Sequence, residues 1–200
     1  MNLFLWGALP YIAFTFLIVG TLVRFFYFER NWTTKSSEFL EKKQLRIANP
    51  LFHFGLLCVI GGHVVGVLIP KTWTAAIGIN DHLYHEGALY MGAVAGIIFI
   101  VGFLLLMKRR FTVPAMKVNT SGLDKWLYLF LTLAIFSGMA GTLLNASGFF
   151  DYRVSIGPWF RSLLSFMPDP SLMEGVPFMF KFHMLAWMVV AIIFPFSRLV

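Results

Sequence analysis

The chain has 200 residues, 58% of them hydrophobic and only 12% charged, with a mean hydropathy of +0.77. A soluble domain is about 45–50% apolar and about 25% charged, so the composition excludes an ordinary soluble globular protein and indicates an integral membrane protein. The net charge of +7 sits in short clusters between apolar runs, the pattern of membrane topology signals and not of a nucleic-acid surface. The single cysteine, Cys58, lies inside an apolar run, so no intramolecular disulfide is expected.

Five apolar runs are long enough to cross a bilayer as helices, at about 3–26, 51–69, 87–107, 126–146 and 177–200. No basic region precedes the first run and no small-residue cleavage site follows it, so no signal peptide is expected and span 1 is expected to be retained. Pro10 falls in its first turns. The polar segment after it ends in Ser36 to Arg46, which reads as a short surface helix. Span 2, Leu51 to Ile69, contains no Asp, Glu, Lys or Arg, yet carries His53 and His63 with Gly55, Gly62 and Gly66 beside them. Those glycines admit either a flat ligand or another helix. The loop after Pro70 holds Lys71, Trp73, Asp81, His82, His85 and Glu86. Span 3 contains Gly92-x-x-x-Gly96, a packing motif, and stops at Lys108-Arg109-Arg110. Span 4 leads into the longest loop, 147–176, rich in Gly, Pro and aromatic residues. Span 5 begins near Pro177, has Lys181 in its first turns and runs past Pro195 to Val200.

The basic residues orient the bundle. Loops after spans 1 and 3 hold Arg30, Lys35, Lys42, Lys43, Arg46, Lys108, Arg109, Arg110, Lys117 and Lys125, whereas those after spans 2 and 4 hold Lys71, Arg153 and Arg161. The positive-inside rule puts the first set in the cytoplasm, with the N-terminus outside and the C-terminus inside. The expected fold is an all-α, five-helix transmembrane bundle forming one domain over 1–200.

Polar, titratable side chains are costly in hydrocarbon, so intramembrane histidines are functional candidates. His53 and His63 lie about 15 Å apart along a helix and about 80° apart around it, too far to share one ion. His63 is about 10 Å below the outer surface, counted back from Pro70, and His183 is about 9 Å below it, counted from Pro177. One imidazole on each of two helices at equal depth is the arrangement of bis-histidine haem ligation, built between bundle helices. A structural zinc site wants about four ligands. His53 lies near the inner face, where no second histidine stands and Met107 is the other soft donor at that depth. A buried structural histidine, or a methionine filling a gap, is the competing reading.

The sequence resembles the gamma subunit, the di-haem cytochrome b, of membrane-bound respiratory nitrate reductase. The resemblance spans the chain and rests on Asn49-Pro-Leu-Phe-His53, Gly62-His63-x-x-Gly66, the run Leu106-Met-Lys-Arg-Arg110, Phe182-His183, and Phe194-Pro-Phe-Ser-Arg-Leu199. It implies five transmembrane helices in the cytoplasmic membrane and two b-type haems. His63 and His183 would be the axial pair of the outer haem, and His53 one ligand of the inner haem. The inner haem's second ligand is expected in the position following Val200, and a cytoplasmic tail beyond it, so one haem is fully ligated within these residues.

The resemblance further implies that quinol is oxidised at the outer end. Electrons then pass through both haems to an iron–sulphur beta subunit and on to a molybdenum alpha subunit that reduces nitrate to nitrite. Candidates for the quinol pocket are His82, Tyr84, His85 and Lys181. The resemblance implies a lysine just ahead of span 3, and none stands there. Arg110 is a candidate contact for an inner-haem propionate, and Ser36–Arg46 a docking surface for the iron–sulphur subunit. Two alternatives remain: a related cytochrome serving a sulphur compound or heterodisulphide as terminal acceptor, and a haem-free membrane anchor.

Overall fold

The computed structural model describes residues 2–27 and 42–197. Among them there are five helices long and apolar enough to span a membrane: α1 (Phe4–Tyr27), α2 (Lys43–Leu68), α4 (Asp81–Thr112), α6 (Gly122–Leu144) and α8, which continues from Phe178–Ile193 into a 3₁₀ turn at Phe194–Phe196. Three shorter helices connect them: α3 (Lys71–Ala76), α5 (Pro114–Val118) and α7 (Ile156–Leu164). No strand occurs among the described residues. Only a minority of each span is buried by the rest of the chain. Leu57, Ile60, Met91, Val94 and Ile97 face outward, as lipid-facing side chains do.

Adjacent helices pack in the order α2, α4, α6, α8, α1. The α2–α4 seam is the most intimate. A Cβ built at Gly55 would lie 2.5 Å from the Phe99 backbone nitrogen, and one at Gly102 only 2.3 Å from that of Phe52. Bare glycine on each helix lets the two backbones touch. Apolar residues from three helices fill in behind, with Phe99, Phe103 and Ile135 at the centre and Phe52, Leu56 and Met107 around them. The Gly92-x-x-x-Gly96 motif is only half engaged: Gly96 abuts Met139, while Gly92 has nothing within 4 Å.

A second core lies at the end of the bundle where α1 and α8 begin, and it corrects the expectation of a long loop over 147–176. Ile156, Trp159, Phe160 and Leu163 recur at helical spacing and form α7, whose buried face meets Trp6, Ala13 and Met188. Pro10 has no N–H to donate to the carbonyl of Trp6. Trp159 donates its indole N–H to that carbonyl at 2.8 Å, and the Tyr11 hydroxyl donates back to the carbonyl of Leu163 at 2.9 Å. The proline therefore creates the acceptor that fixes α7.

Helix boundaries differ from expectation for local reasons. The Asn80 side chain accepts from Leu83 N–H and starts α4 at Asp81, not Gly87. Helix α2 begins at Lys43 and carries Pro50 in its interior. Lys43 to Arg46 therefore belong to span 2 and not to a separate surface helix, and residues 36–41 of that expected helix lie outside the described residues. At Pro195 span 5 tightens into the 3₁₀ turn. Arg24 donates to the carbonyls of Pro195 (2.7 Å) and Ser197 there, binding α1 to the end of α8.

Overpacking a close seam typically costs about 1–3 kcal/mol. Gly102→Val or Gly55→Val should lower the thermal midpoint of the detergent-solubilised protein by several degrees. Gly61→Ala, with nothing within 4 Å, should leave it unchanged or raised.

Candidate functional site

His63 of α2 and His183 of α8 face one another, with ring centroids 6.0 Å apart and planes inclined by 27°. Their helices are not one of the closely packed pairs, so the imidazoles meet across a gap. The Nδ1 of His63 is 2.7 Å from the carbonyl of Val59, one turn back on α2. The Nδ1 of His183 is 2.8 Å from the carbonyl of Ala134 on α6, with Ser137 Oγ 3.4 Å away. A carbonyl accepts, so each Nδ1 carries the proton and each Nε2 is a free donor atom. Gly138 makes room for this: a Cβ there would sit 2.8 Å from the His183 ring.

This donor set fits one metal ion between two imidazoles. Two metal–nitrogen bonds of about 2 Å separate the nitrogens by about 4 Å, and the half-width of each ring brings the centroids to about 6 Å. No cluster of three or more His, Cys, Asp or Glu side chains able to hold a metal occurs among the described residues. Two such imidazoles could hold a metal ion whose remaining ligands are brought by a bound group. His63 is exposed on α2, which a packed structural histidine would not be.

Immediately beyond His63, α2 widens into a π-helical turn at Val64–Leu68, a distortion common at functional positions. Its carbonyl at Val67 accepts from Arg161 at 2.8 Å. Against Gly66 lie Tyr152 and Tyr84, 2.9 and 3.2 Å from where a Cβ would stand, their hydroxyls 3.4 Å apart. The Arg153 guanidinium lies 3.8 Å above the Tyr84 ring. Its Nε and Nη2 donate to Asp151, and Nη2 also to Asp81 at 3.0 Å. Lys71 bridges the same carboxylates at 2.7 and 3.1 Å, and they hold its ammonium above its usual range. Burial pushes the Tyr152 hydroxyl upward, keeping it protonated.

The four quinol-pocket candidates are not gathered together. Tyr84 lies in this cluster. His82 points away, 86% exposed, with Glu86 4.0 Å off. His85 is spent on the carbonyl of Ala146 at 3.0 Å. Lys181 donates to the carbonyl of Glu174 at 3.1 Å. Sequence reasoning did not single out Tyr152 and Arg153. Their signal was an arginine beside an aspartate in an otherwise apolar, aromatic loop.

His53 lies at the other end of α2, exposed, its Nδ1 2.9 Å from the carbonyl of Asn49. It has the same free Nε2, with no second imidazole facing it among the described residues. Met107 is turned into the Phe99–Phe103 core. Arg110 lies 5.6 Å from the Tyr128 ring, and its Nε is buried without a partner. Near it a cavity of about 350 Å³ is lined by Phe103, Met107, Phe111, Lys125 and Tyr128.

Known sequences are similar to nearly the whole chain. Residues 2–200 match the family described as nitrate reductase gamma subunit. The nitrate reductase gamma chain of Bacillus subtilis is 47% identical over 197 residues, covering 98% of this chain and 88% of that one. The respiratory nitrate reductase 1 gamma chain of Escherichia coli is 29% identical over 202 residues, covering 100% and 89%. A nitrate reductase-like protein, NarX, of Mycobacterium tuberculosis is 38% identical over 98% of this chain, which matches 30% of its length. The five apolar helices and these matches together make this chain a member of the nitrate reductase gamma subunit family, a membrane subunit of an oxidoreductase complex.

Proposed function

We propose that the chain is the quinol-oxidising cytochrome b of its complex, passing electrons from a membrane quinol to an iron–sulphur subunit and thence to a molybdenum subunit that reduces nitrate to nitrite. The observation that carries this reading is the facing pair of His63 and His183, each with Nδ1 held by a carbonyl and Nε2 free. These two side chains would hold one b haem. His53 would hold one face of a second at the other end of α2. Haem, when bound, supplies the one-electron transfer that side chains cannot.

The chain's own residues do the rest. Val59 and Ala134 fix the tautomer and orientation of the ligating imidazoles. Gly138 lets the His183 ring lie against α6. A quinol reaching the His63 end meets the hydroxyls of Tyr84 and Tyr152. Asp81, largely exposed at the rim, marks the way from them to solvent. In this reading the α7 end faces outward, and the end bearing Arg109, Arg110, Lys117 and Lys125 faces the cytoplasm and the partner subunits across the cytoplasmic membrane.

Membranes containing the complex should give b-type bands in a reduced-minus-oxidised spectrum. His63→Leu and His183→Leu should each remove one haem's absorbance, while His82→Leu removes none. Unaltered bands in both of the first two variants would sink the assignment.

Orientation has its own check. In a Cys58→Ala background, Phe149→Cys should react with a membrane-impermeant maleimide on intact cells, and Lys117→Cys only after the cells are opened. The reverse pattern would invert the topology.

A further inference from the structure

Two of the three buried side-chain polar atoms that lack a partner among the described residues stand in one short turn: Arg153 Nη1 and Ser155 Oγ. The Arg153 side chain is only 4% exposed. Its Nε and Nη2 are satisfied by carboxylates, so two of its five N–H groups are left over on Nη1. Native structures pair nearly all such groups, and an orphan calls for an acceptor that the described residues do not supply. The acceptor must reach a guanidinium stacked on Tyr84, whose hydroxyl lies against Gly66. Gly66 is three residues from His63, about one helical turn.

We infer that Arg153 Nη1, with Ser155 Oγ beside it in the chain, receives a carboxylate of the group ligated by His63 and His183, namely a propionate of the outer haem. The inference rests on the haem reading above. The Nε–Nη2 edge of the guanidinium is taken by Asp151, so the incoming carboxylate is held by the N–H groups of Nη1 in a charge-assisted hydrogen bond. A propionate is the acid such a group carries at its rim. The other carboxylates of the cluster, Asp81 and Asp151, already occupy Nε and Nη2, so they leave Nη1 for the newcomer. Arg153 is thus a positioning residue: it fixes the rotation of the ring about the His63–His183 axis and holds a positive charge beside it.

The test uses membranes containing the whole complex, with haem labelled with ¹³C in its propionate carboxyls. Redox-difference infrared spectra should show the labelled carboxylate band of the outer haem displaced in Arg153→Gln, and displaced less in Arg153→Lys. Potentiometric titration of the same membranes should show the reduction equilibrium of that haem falling roughly tenfold in Arg153→Gln, as expected for loss of a nearby positive charge. Lys71→Gln, which perturbs the same ion cluster without touching Nη1, should leave the labelled band in place. If Arg153→Gln fails to accumulate, Arg153→Lys alone decides through the band. A labelled band unmoved by the available Arg153 variant overturns the inference and leaves water as the partner of Nη1. Absence of b-type bands in the unaltered complex would instead overturn the haem reading itself.

Discussion

A backbone carbonyl or amide inside a bilayer has no water to turn to, so every one that a helix cannot satisfy must find a donor or acceptor within the protein. Much of this structure follows from where those groups arise. Pro10 leaves the carbonyl of Trp6 without its usual donor, and the Trp159 indole supplies one. The end of α2 leaves the carbonyl of Val67, and Arg161 covers it. The 3₁₀ turn at Pro195 exposes carbonyls to which Arg24 reaches. The histidines use backbone carbonyls too: those of Asn49, Val59 and Ala134 accept from the protonated Nδ1 and so leave Nε2 free.

The same constraint separates a rigid part of the bundle from an open one. Helices α2 and α4 close on each other through Gly55 and Gly102 until only backbone lies between them. Helices α1, α6 and α8 form the other block. His63 stands on the first block and His183 on the second, so the site sits at the junction of the two. Nothing packs the blocks tightly along α2 and α8, and a flat ligand can enter without breaking a core. The π-helical turn after His63 belongs to this junction: it re-aims the end of α2 so that Gly66 meets Tyr152 and Tyr84.

The five spans were legible from apolar length alone, and the approach of His63 to His183 from counting residues back from Pro70 and on from Pro177. Both readings work because a bilayer imposes a length scale. What was not legible depended on contacts without such a scale. Helix α7 carried its signal in Ile156, Trp159, Phe160 and Leu163, but Gly157, Pro158 and Pro168 gave the stretch the look of a loop. The early start of α4 lies in Asn80 as a cap, a signal masked by the charged residues that follow it. Tyr152 and Arg153 find their partners some 70 residues away, at Asp81 and Tyr84, and no local pattern announces that. Conversely, His82 and His85 were both candidates for one pocket, and the structure turns them to different tasks.

The two ends of the bundle are not electrostatic equals, and the difference follows the direction of the proposed electron flow. At the α7 end, Lys71 and Arg153 are matched by Asp81 and Asp151, so the cluster beside His63 is close to neutral. A neutral quinol can approach such a rim without meeting a net field. At the other end Lys108, Arg109, Arg110, Lys117 and Lys125 gather with few acids, and Asp124 is engaged in the capping box that starts α6. In the proposed reading, an excess of positive charge there stabilises an electron that has crossed the bilayer, by Coulomb attraction. In that reading, charge that first serves to orient the chain in the bilayer also lowers the energy of an electron at the cytoplasmic end, where the partner subunit would collect it.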